Sequence, residues 1–175
     1  MVLQRLFGLA LLPYCGWLIG GYEFHLIDYV NLAVHEAGHV IFAPLGMSWH
    51  MAGGTLLQLL APLAFVVSFL RRGRRFDAAV CGVWFAESLM YTAEYLGDAR
   101  LMALPRVGGE LHDWNWILAH WGLVPRCEDI ASVLHGAAGV LALACVLAAG
   151  ALAMRPRADD VRQPPAGCSA DDALQ

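Results

Sequence analysis

Positions 35–39 of the chain read His-Glu-Ala-Gly-His, the pattern HExxH. On an α-helix, residues four apart sit one turn apart on the same face, so His35 and His39 can grip a single zinc ion. Glu36 is then placed as general base on a water activated by the metal, the chemistry of a zinc hydrolase. A catalytic zinc takes three protein ligands and keeps one position for solvent, so one ligand is still needed. The stretch GGELHDW at 108–114 offers His112 and Asp113, and a preceding apolar run ends with Glu94 and Asp98. His112 is the preferred third ligand, with Asp98 and Asp113 as alternatives. Asp113 has a second explanation, as the N-cap of the helix that follows it.

The elements that must hold these residues are apolar. Of 175 residues 59% are hydrophobic and 15% charged, with a mean hydropathy of +0.55. That exceeds the roughly 45–50% apolar content of soluble domains. Runs near 3–22, 26–47, 53–70, 77–98 and 130–154 approach the ~20 helical residues needed to cross hydrocarbon. The fold class is all-α: a polytopic membrane helical bundle of about five spans over residues 1–154. The third run is the weakest, being short and carrying Gln58 and Pro62, which fits a kinked or re-entrant segment. Between the last two runs, residues 105–129 form an interfacial segment in which Trp114, Ile117, Leu118 and Trp121 follow the stripe of a short amphipathic helix. The sequence from 155 to 175, with Pro156, Pro164, Pro165 and scattered acids, reads as a disordered polar tail.

All 11 basic residues are arginines, set against 15 acids for a net charge of -4. No basic groove for a polyanion results, which excludes nucleic acid as a partner. The cluster Arg71, Arg72, Arg74 and Arg75 and the pair Arg155 and Arg157 instead mark cytoplasmic sides of an integral membrane protein, here of a bacterial inner membrane with its C-terminal tail in the cytoplasm. An odd number of spans then puts the N-terminus outside, against which Arg5 argues. Five widely spaced cysteines with no CxxC pair give neither a disulfide framework nor a cysteine metal site.

Polar residues inside these runs repeat at helical spacing: Asp28, Asn31, His35 and His39 in the second, and Glu87, Tyr91, Glu94 and Asp98 in the fourth. Such groups should face one another or a cavity, because an acid at the centre of a membrane helix is disfavoured by about 3 kcal/mol. Zinc binding, on the order of 10 kcal/mol, offsets such a cost. Gln58 is expected to bond a neighbouring helix, His135 to be a satisfied core histidine, and His25, His50 and His120 to be interfacial.

With HEAGH on a membrane helix, followed by GGTLLQLLAPL, YLGDAR and GGELHDW, the chain resembles the intramembrane zinc metallopeptidases of the site-2 protease family, over roughly residues 31–62 and 94–118. The resemblance implies a membrane metalloprotease that cuts membrane-associated protein or peptide substrates, with Zn2+ on His35 and His39 and Glu36 as base. That family takes its third ligand from an Asp in an NPxxLDG-like motif, which this chain lacks. Two other classes suit the same composition: a proton- or metal-ion-conducting membrane protein, and a non-catalytic subunit of a membrane assembly.

Overall fold

In the computed structural model, which describes residues 2–105, 107 and 111–154, the apolar runs form helices, and no strand occurs among the described residues. The six α-helices are α1 (Val2–Gly20), α2 (Leu26–Phe42), α3 (Met47–Arg71), α4 (Arg75–Gly97), α5 (Asp113–His120) and α6 (Cys127–Met154). Gly108, Gly109, Glu110 and the expected disordered tail lie outside the described residues.

Three of these helices, α1, α3 and the segment Val124–Met154 that contains α6, are long and apolar enough to cross a membrane. α2, at 17 residues, is shorter, and α4 carries Arg75, Asp77, Glu87 and Glu94. The third run, read from sequence as the weakest, is one continuous helix of 25 residues. Its start is set by Gly46, whose φ of 102° belongs to the left-handed region that glycine enters without strain. That turn lets Met47 begin the helix, so the segment at 47–52 adds length that the apolar pattern did not register.

The helices pack in a row: α2 against α3, α3 against α4, α4 against α6, and α6 against α1. The core runs through Leu11, Cys15 and Leu18 of α1, Val83, Ala86 and Met90 of α4, and Ala138, Ala142, Val146 and Ala149 of α6. Small residues at three- and four-residue spacing let these helices approach closely, the packing mode on which helices depend when lipid removes the hydrophobic drive. A smaller cluster, Leu96, Ala99, Leu118 and Cys127, seats α5 against the ends of α4 and α6. Trp121 falls outside the expected amphipathic stripe. It is the C-cap of α5 and stands 77% exposed, because the helix ends at His120.

Contacts between helix ends give the relative directions of the helices. Arg5 Nε donates to the Ala153 carbonyl at 3.3 Å, and Cys127 Sγ donates to the Gly97 carbonyl at 3.3 Å. The start of α1, the α3–α4 turn with its arginines and the end of α6 therefore share one end of the bundle. α2 begins beside Glu87, midway along α4, where Asn31 Nδ2 donates to Glu87 Oε1 at 3.3 Å. It finishes beside the start of α3, so it runs along only part of the length of the bundle. The N-terminus accordingly lies at the same end as the Arg71–Arg75 cluster, which accounts for Arg5.

Candidate metal centre

The site forms where α2 and α3 come together without side chains between them. A Cβ on Gly38 would fall onto the Gly53 carbonyl oxygen, and one on Gly53 would lie 2.8 Å from the Gly38 carbonyl oxygen. One residue further, a Cβ on Gly54 would lie 2.6 Å from His35 Nε2 and 2.7 Å from His39 Nε2. Glycine at 54 thus leaves a cradle that a methyl group would fill, directly in front of both imidazoles.

Both rings are held from behind. His35 Nδ1 lies 3.1 Å from Gln58 Oε1, and Gln58 Nε2 donates to the Ser88 carbonyl at 3.2 Å. With the amide NH2 committed to Ser88, the ring nitrogen is the donor to Oε1. His39 Nδ1 donates to the His50 carbonyl at 2.7 Å, and His50 Nδ1 returns a bond to the His39 carbonyl at 3.0 Å. A ring that donates from Nδ1 presents a lone pair at Nε2, which is how second partners orient metal-binding histidines.

Both Nε2 atoms face Asp113. Its Oδ2 is 2.9 Å from His35 Nε2 and 3.1 Å from His39 Nε2, and the three residues form a group able to hold one metal ion.

Asp113, one of the alternatives, is therefore the residue brought to the histidine pair, and His112 is not. The two neighbours differ in their surroundings. His112 is the N-cap of α5, its Nδ1 accepting from the Asn115 amide at 3.3 Å. Its ring stacks on Tyr95 with centroids 4.2 Å apart, and its Nε2 is 3.5 Å from Asp98 Oδ2. Asp113 is the first residue of α5, where a carboxylate also suits the helix dipole. Asp98 caps the end of α4 and accepts from the Ala103 and Leu104 amides at 2.8 and 3.0 Å. Glu94 is exposed, so the expected stripe on α4 does not point inward as a whole.

Glu36 is partly buried beside the histidines, close enough to His39, Tyr91 and Tyr95 for its charge to act on each. Tyr95, which the sequence reading passed over, accepts from the Asp113 amide at 3.4 Å and packs edge-on to His35 at 5.9 Å. His50, read as interfacial, instead braces His39. Gln58 bonds neighbouring helices, as expected, and one of those bonds is to a site histidine. His135 is only half-buried and bonds the Ile19 carbonyl at 3.2 Å. Comparison with known protein families, curated proteins and solved structures returns no match.

Proposed function

We propose that this chain is a membrane-embedded zinc metallopeptidase, with His35, His39 and Asp113 as metal ligands and Glu36 as general base. One observation carries the reading. Both Nδ1–H groups are already spent on Gln58 and His50, so two imidazole lone pairs confront a carboxylate oxygen at 2.9 and 3.1 Å. Three acceptors aimed at one another repel unless a cation lies among them, and two imidazoles with one carboxylate suit Zn2+. The Gly54 cradle supports the same reading.

A zinc ion held there supplies a Lewis acid that acidifies water and polarises a carbonyl. The side chains do the rest. Glu36 takes a proton from the attacking water and returns it to the departing amine of the peptide. Tyr95 and His112 fix the start of α5 and so keep the Asp113 carboxylate on the histidines. Gln58 and His50 keep each ring in the tautomer that presents Nε2.

In this reading α1, α3, α4 and α6 cross the bilayer, while α2 inserts from mid-depth and α5 lies at the membrane surface. The arginine-rich end faces the cytoplasm, consistent with the excess of positive charge on that side. The site then opens toward the opposite face, where a membrane protein or peptide whose helix is locally unwound presents its carbonyls. The test is hydrolysis of a membrane-anchored peptide by detergent-purified protein, with zinc content measured in the same preparation. Activity that tracks zinc, and a Glu36→Gln variant that keeps zinc but loses hydrolysis, is the expected result.

A further inference from the structure

A second group of ligand-type side chains lies deeper in the bundle, where α2 begins. His25, the N-cap of α2, meets Asp28 one turn on and Glu87 from α4, with one donor atom of each within 4.8 Å of the others. The two carboxylates are 0% and 1% exposed. Among the described residues neither has an arginine within ion-pair distance, and His25 is the only basic group beside them.

The arrangement repeats the orientation seen at the first centre. His25 Nδ1 lies 2.9 Å from the Glu23 carbonyl oxygen, which can only accept, so the ring donates there. The same Nδ1 is 2.9 Å from Asp28 Oδ2, which also accepts from the His25 backbone amide at 2.9 Å. The ring's Nε2 lone pair then accepts from Tyr14 OH at 2.7 Å, a hydroxyl that an ion would displace, and lies 3.6 Å from Glu87 Oε1. Ligands about 2.1 Å from a tetrahedral ion stand roughly 3.4 Å apart, so this gap matches a shared cation.

Outer bonds hold the carboxylates in place. Tyr22 OH donates to Asp28 Oδ1 at 2.6 Å, and Asn31 Nδ2 reaches Asp28 Oδ1 and Glu87 Oε1, each at 3.3 Å. Asn31 Oδ1 in turn accepts from Trp84 Nε1 and Ser88 Oγ at 2.9 and 3.2 Å. Tyr14 OH, 2.7 Å from His25 Nε2, marks the side on which the cluster meets a groove of about 860 Å³ lined by Tyr14, His25 and α2 residues.

We infer that His25, Asp28 and Glu87 form a second site for a divalent transition-metal cation, separate from the HExxH centre. A divalent ion would offset the charge of both carboxylates inside a low-dielectric bundle, where an uncompensated charge is costly.

The test uses the full chain in detergent, stripped with chelator and titrated with Zn2+ alone. Wild type should bind two equivalents, falling to one in Asp28→Asn/Glu87→Gln and to the other one in His35→Ala/His39→Ala. A single wild-type equivalent that disappears with His35→Ala/His39→Ala, or an unchanged isotherm in a folded Asp28→Asn/Glu87→Gln protein, overturns the proposal. If the acid double variant does not fold, His25→Gln decides: binding of one equivalent weakened at least tenfold supports the site, and an unaltered isotherm removes it. Failure of the peptidase reading would look different, as a single equivalent lost only in the acid variant.

Discussion

His35 Nε2 and Asp113 Oδ2 lie 2.9 Å apart although 78 positions separate them in the chain. The contact ties the start of α5 to α2, and it gives the two-histidine motif the third ligand that the proposed zinc site requires. Asp113→Ala is expected to lower zinc affinity at this centre by at least a hundredfold, because first ligands contribute more than the 10- to 100-fold typical of their supporting partners. His112→Ala should keep the zinc and lower stability by about 1 kcal/mol, the cost of a lost N-cap. Zinc titration beside thermal melts separates the two; a His112 variant that loses zinc while Asp113→Ala retains it would reverse the assignment.

Gly54→Ala places a methyl 2.6 and 2.7 Å from the two Nε2 atoms. The protein should fold with its helix content intact and bind no zinc between His35 and His39. Gly38→Ala acts elsewhere, forcing α2 off the Gly53 carbonyl, and should lower stability by about 1–3 kcal/mol, as overpacking does. Circular dichroism with metal analysis distinguishes these outcomes, and full zinc occupancy in Gly54→Ala would contradict the cradle.

Gln58→Leu removes the acceptor that fixes the His35 ring. Zinc affinity should fall 10- to 100-fold, the usual effect of losing an orienting partner. Gln58→Glu, which still accepts from Nδ1, should recover most of it. Equal affinity in Gln58→Leu and wild type would show that the ring needs no such support.

Removing the metal with a chelator should abolish hydrolysis and lower the melting temperature, since a ligand that binds only the folded state stabilises it by about 2.7 kcal/mol at a hundred times its Kd. Re-addition of Zn2+ should restore both. Loss of activity without any change in melting temperature would argue against ligands drawn from α2 and α5 together.

Much of the site was legible because helical spacing is regular: one turn between His35 and His39 is enough to pair them. Which of the neighbours His112 and Asp113 meets the histidines was not, because both are buried and the choice rests on where the N-cap of α5 falls. Asp113 was assigned to capping on residue preference, yet His112 Nδ1 takes that bond and frees the carboxylate. Glu94 shares its helical spacing with Glu87 but points out, since α4 is covered by α3 and α6 on only part of its circumference. Tyr95, His50 and the His25 cluster join through contacts between separate elements, which no local pattern encodes. The α2 segment has the composition of a span, and only its contacts with Glu87 and the start of α3 show that it runs along part of the bundle's length.

The most direct test of the account compares wild type with Glu36→Gln on a membrane-anchored peptide, with zinc measured in both preparations. Equal zinc content and a rate at least about a hundredfold lower in the variant, within the range for loss of a general base, is the predicted result. Zinc-loaded wild type that cleaves nothing, or a Glu36→Gln protein that cleaves at the wild-type rate, would contradict it.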